Sequence, residues 1–163
     1  ALTATMRYYR AIDTMLEDLK STTSKKSTAS DWAKSATWFE TYANKVEQLS
    51  LAEVDPEVQK YSASVASKLR AMAGSLRGTK MQVEQFNSYI TVEAYGARSG
   101  YGRFSSPSIS AQSNLSEIRA KQAELAAKLE PEREKMWGVL EDDRQKVRRA
   151  MAAKYKIDFD AFK

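Results

Sequence analysis

The chain contains neither cysteine nor histidine. The first absence removes disulfides, thiol nucleophiles and thiolate metal sites. The second removes Ser-His-Asp catalysis, ordinary zinc sites and the Glu-x-x-His pairs of di-iron helix bundles. Redox compartment stays open, because a chain without cysteine survives in any of them. Proline and glycine are also scarce, at 3 and 6 of 163 residues. With Ala, Lys, Glu, Gln and Leu abundant, that scarcity favours helix over strand. No apolar run approaches the roughly 18 residues of a membrane span, so a soluble chain without a transmembrane segment is expected. The opening A-L-T-A-T-M-R-Y-Y-R has no apolar core of a signal peptide. It also lacks an initiator Met, which leans towards a mature exported (periplasmic or extracellular) chain rather than a cytoplasmic one.

What is present is helical periodicity. Leu2, Met6, Tyr9, Ile12, Leu16 and Leu19 recur at spacings of three and four, predicting a helix over 2–20. A polar stretch, S-T-T-S-K-K-S-T-A-S, reads as a linker over 21–30. A second helix over 31–50 carries Trp32, Ala36, Phe39, Ala43, Val46 and Leu49 on one face, with Trp38 and Tyr42 on a second edge. Ser50 to Glu53 has capping-box spacing, and Asp55-Pro56 signals a helix start with proline in the first turn. A third helix over 56–94 follows, its ladder unbroken from Val58 to Ile90. Gly74 and Gly78 share a face of it where another helix could approach closely.

The longest interruption is A-Y-G-A-R-S-G-Y-G-R-F-S-S-P-S, read as a loop over 95–108. A fourth helix over 110–155, capped by Ser113 or Asn114, returns along the third. Pro131 lies inside its ladder. Because the apolar register resumes in phase, one helix with a kink is expected rather than two helices. Folding the chain back about residue 102 brings Pro131 level with Gly74, so the packing should change at that level. The first two helices are each about 30 Å long, half the length of the hairpin, and should cover the end away from the loop.

The expected architecture is therefore all-α: a single domain over 1–163, an antiparallel four-helix bundle with two long helices forming a coiled-coil hairpin extension. An arm of this kind exposes a narrow seam and invites coverage by a second copy or by the first helix.

The net charge of +5 is spread thinly: over 1–30, 31–50, 51–94, 95–108 and 109–163 no segment carries more than two net charges. Two places concentrate groups that bind partners. The loop interleaves Tyr95, Arg98, Tyr101, Arg103 and Phe104, a composition suited to base stacking or to docking on an anionic surface. The late part of the fourth helix has Arg144, Lys146, Arg148 and Arg149 with no acid among them, a phosphate or headgroup patch or simply cations complementing the helix dipole. No glycine-rich phosphate cradle and no calcium loop occur. Carboxylate pairs such as Glu130 and Glu134 would need a cleft to catalyse anything. No cofactor, metal or catalytic residue is expected. The sequence points to a non-enzymatic interaction or scaffold protein whose partner is another protein or a second copy. The alternative is a module binding nucleic acid or an anionic membrane surface through the loop and the basic helix.

Overall fold

A computed structural model describes the backbone of residues 2–24, 29–101 and 107–162, and side chains over 2–24, 31–90 and 114–161. Among these residues the fold is all-α with no strand: α1 (Leu2–Thr23), α2 (Ala29–Glu47), α3 (Pro56–Tyr101), α4 (Pro107–Tyr155) and a final 3₁₀ turn, η1 (Phe159–Phe162). The four α-helices alternate in direction and pack as a bundle extended by a two-helix hairpin.

The directions follow from side-chain pairs. Arg70 binds Glu47 and Asn44 of α2, and seven residues on Arg77 binds Glu40, at 2.6–2.9 Å. One sequence number rises as the other falls, so α2 and α3 are antiparallel. Lys68 pairs with Asp143, and Ser75 donates to Glu132 at 2.5 Å, which sets α4 antiparallel to α3. Tyr42 donates to Asp18, joining α2 to α1. The apolar stripes read from the sequence form the core: Ile12, Leu19, Phe39, Val46, Val58, Val65, Leu69 and Met151 are all fully buried.

The connection from α2 to α3 is the short turn expected, though Ser50 does not open a helix. Its hydroxyl accepts the Ala52 N–H inside the turn at 3.4 Å. Asp55 makes the true cap: its Oδ1 accepts the Glu57 N–H at 2.9 Å while Pro56 occupies the first helical position.

Helix boundaries differ from expectation at the first linker and at the tip. α1 continues through Thr23 and α2 begins at Ala29, so half of the polar stretch 21–30 (21–23 and 29–30) is helical, and residues 25–28 lie outside the described residues. Threonines sustain the last turn of α1, Thr22 and Thr23 each donating to the carbonyl four residues back at 2.8 Å. α3 runs on to Tyr101 and α4 starts at Pro107, so most of the expected 95–108 loop is helical backbone. A glycine in a helix costs only about 1 kcal/mol against alanine, too little for Gly96 and Gly100 to end a long helix. No proline interrupts that stretch, and Pro107 takes the first position of α4.

Pro131 lies within continuous α4 helix, as the unbroken register implied. Its level is a boundary. Arg133, two residues on, donates to the Thr23 carbonyl at 2.8 Å and so caps the C-terminus of α1. Beyond that level α1 is gone, and past the start of α2 only α3 and α4 remain. Gly74 and Gly78 do not mediate the change. A Cβ on either would meet no atom within 4 Å, so the close helix approach expected there does not occur.

Candidate functional site

The hairpin arm is built from the distal halves of α3 and α4. Val83, Ile90 and Leu125 fill its seam. Phe86 and Ile118 are only half-buried, and the Lys121 ammonium sits 5.9 Å from the Phe86 ring centroid. Met81 is 56% and Leu115 47% exposed. At the tip, Tyr95, Arg98 and Tyr101 lie on the helical backbone of α3, and their side chains are outside the described set. Arg103 and Phe104 lie outside the described residues altogether.

The basic run of α4 divides in two. Lys146 and Arg149 face solvent. Arg144 and Arg148 turn inward, because a guanidinium on the buried side of a bundle is tolerated only where carboxylates and hydroxyls meet it. Arg144 Nε lies 3.1 Å from Asp13 Oδ1 on α1, and its Nη1 3.4 Å from Glu141. It also hydrogen-bonds the hydroxyl of Tyr9, which stacks on Tyr61 at 6.1 Å between ring centroids. Arg148 is 3% exposed and meets the segment after α4: its Nη2 donates to the Phe159 carbonyl at 3.3 Å, and its Cζ lies 4.1 Å from the Phe159 ring centroid. The four cations read as one patch are thus two surface charges and two internal struts.

The internal cluster of Tyr9, Asp13, Tyr61, Arg144 and Arg148 joins α1, α3 and α4. Burial pushes both phenols up, with the neighbouring Asp13 charge adding to it, so they remain protonated at any physiological pH. Burial also raises the Asp13 carboxyl, against the opposing pull of Arg144. The arrangement holds charged groups inside the bundle, paired across α1 and α4. Sequence reading passed over this cluster. Its signal was Asp13 beside Ile12, one turn from Tyr9, at the edge of an otherwise apolar stripe.

A second knot closes the base of the bundle. Asp55 Oδ2 accepts from Lys154 at 2.5 Å and from the Tyr155 hydroxyl at 2.8 Å, while its N–H donates to Thr5 Oγ1 at 2.9 Å. Burial works against its charge, but the Lys154, Tyr155 and Glu57 hydrogen bonds outweigh burial and hold the carboxyl below its usual range. Cavities occur where helices meet loosely. One of about 280 Å³ between α1 and α4 is lined by Leu16, Lys20, Trp137, Leu140 and Arg144. Another of about 230 Å³ lies between Trp32 and Leu129 where the arm begins.

Among the described residues no group of three or more carboxylates is placed to hold a metal ion. No helix among them is long and apolar enough to cross a membrane. No protein-family model matches the chain, and comparison with curated proteins and with solved structures returns no match.

Proposed function

We propose that the protein is a non-enzymatic helical interaction or scaffold protein, in which the bundle is the rigid anchor and the arm, acting as a coiled coil, engages a second copy of the chain. The observation that carries this reading is the partial coverage of the arm. Residues 86–101 of α3 extend about 24 Å at 1.5 Å per residue, beyond the end of α1. Leu115, across the seam on α4, is 47% exposed, and Phe86 and Ile118 are only half-buried. Two helices alone bury only a narrow seam, and an antiparallel copy packed against it would repeat the same residues on both subunits. Docking on nucleic acid or an anionic membrane draws less support, since Arg144 and Arg148 are engaged internally.

Sedimentation of the wild type beside Phe86→Lys tests the proposal. The wild type should be dimeric at tens of micromolar, and the substitution should shift it to monomer and lower its thermal stability. A monomeric wild type whose stability is indifferent to Phe86→Lys would sink the proposal. Binding to duplex DNA or anionic vesicles that falls steeply with salt would move the reading to the electrostatic alternative.

A further inference from the structure

The base of the bundle, at the end opposite the arm, holds a feature that the arm does not explain. After α4 the chain turns at Lys156 and lays residues 157–162 back across the ends of α1 and α4. The turn is sharp: Lys156 has φ 53°, left-handed without being glycine, and the Ile157 N–H reaches back to the Ala152 carbonyl at 3.1 Å. Two arginines from different helices then grip the returning segment. Arg10 of α1 donates to the Ala161 carbonyl at 2.9 Å. Arg148 of α4 donates to the Phe159 carbonyl at 3.3 Å, lies 4.1 Å from its ring centroid, and reaches Asp160 at 3.9 Å.

These contacts are those of a bound peptide rather than of a packed helix. A guanidinium stacked on an aromatic ring, with a carboxylate one residue further, is how arginine recognises an aromatic–acidic dipeptide. Arg148 is nearly completely buried, yet its Nε has no hydrogen-bond partner and its carboxylate partner is 65% exposed at a long 3.9 Å. A better-placed carboxylate would gain there. The two side chains that grip the segment are both cationic, and Asp158 and Asp160 of the segment itself are exposed acids. Regular structure within the segment is short: η1 is a single 3₁₀ turn, and Ile157 is the side chain that packs against the core.

We infer that residues 157–162 are an intramolecular ligand, occupying in cis a site formed by Arg10 and Arg148 that takes an aromatic–acidic peptide. The partner is a protein segment with an aromatic residue followed by aspartate or glutamate, which displaces the cis segment by competing for the same two arginines. The proposal stands apart from the arm, and Phe86→Lys does not touch it.

The probe is an acetylated, amidated peptide of residues 157–162, Ile-Asp-Phe-Asp-Ala-Phe, titrated by calorimetry into the full-length wild type and Phe159→Ala. In the wild type the tethered segment competes at an effective concentration in the millimolar range, so Phe159→Ala should bind at least about tenfold tighter. Adding Arg148→Gln to Phe159→Ala should abolish that binding. Equal affinity for wild type and Phe159→Ala would overturn the proposal. So would undiminished binding of a peptide with its central Phe replaced by Ala, or equal competition by inorganic phosphate. Should Phe159→Ala fail to fold, hydrogen exchange on the wild type decides. Excess peptide must speed exchange of the amides of 159–161 several-fold while leaving 140–151 unchanged, and an unchanged rate refutes the site.

Discussion

At the scale of single residues, Asp55 ties together more of the molecule than any apolar side chain. One carboxylate caps α3 and holds Lys154 and Tyr155 at the end of α4, and its own N–H is bound by Thr5 of α1. Asp55→Asn preserves the cap and the shape but removes the charge facing Lys154. It should cost about 2 kcal/mol at neutral pH, the usual worth of a hydrogen bond to a charged group. The acid limb carries a further signature. The folded carboxyl titrates below its unfolded value of about 3.9, so its contribution is present above that pH and is lost as pH falls through the lower, folded value. Urea unfolding of wild type and Asp55→Asn should therefore differ at neutral pH and converge in strong acid. Asp13 has the opposite sign. Its raised carboxyl holds a proton to higher pH in the fold than in the unfolded chain, so ionising it opposes stability as pH rises.

At the scale of elements, Gly74 and Gly78 of α3 and Pro131 of α4, like Gly138, weaken their helices, and an added Cβ at any of the glycines would meet nothing within 4 Å. Gly74 is exposed, Gly78 is half-buried, and a methyl group on either would meet nothing within 4 Å. Gly74→Ala and Gly78→Ala should each raise stability by about 0.5–1 kcal/mol, through the helix and through a stiffer unfolded chain. Pro131 is exposed and removes the bond to the Ala127 carbonyl. Pro131→Ala should stabilise by as much as about 3 kcal/mol, less whatever local relaxation α4 already makes. Urea midpoints measured for the three variants check this, and a loss of stability at either glycine would mean that a neighbouring chain occupies that face. The same element view explains the tip. Proline in the first helical turn, the signal at the start of α3, recurs at Pro107, the first residue of α4.

At the scale of the whole molecule, stability should be graded along the long axis. The base has the buried knots of Asp55 and Arg144 and the fully buried side chains of all four helices, while the arm has one seam between two helices. Local opening tracks such differences in buried contact. Hydrogen exchange of the wild type diluted below its association range should show amides of 60–72 far better protected than those of 86–101. At tens of micromolar, the arm amides should gain protection if a second copy covers them. Unchanged arm protection across that concentration range would count against the proposed dimer.

Fold class, the order of the four helices, their apolar faces and the continuity of α4 through Pro131 were set locally, because a period of 3.6 residues and a proline-led cap are properties of a short stretch of chain. The partner-binding residues were not legible in that way. Whether Arg148 faces water or Phe159 depends on where residues 157–162 return, and whether Arg144 is free depends on Asp13, which is 131 positions away in the chain. Charge pattern records which side chains are cationic. Only the tertiary packing, α1 beside α4 for Arg144 and the returning segment 157–162 for Arg148, decides which of those charges remain available, because a buried guanidinium must find its partners inside.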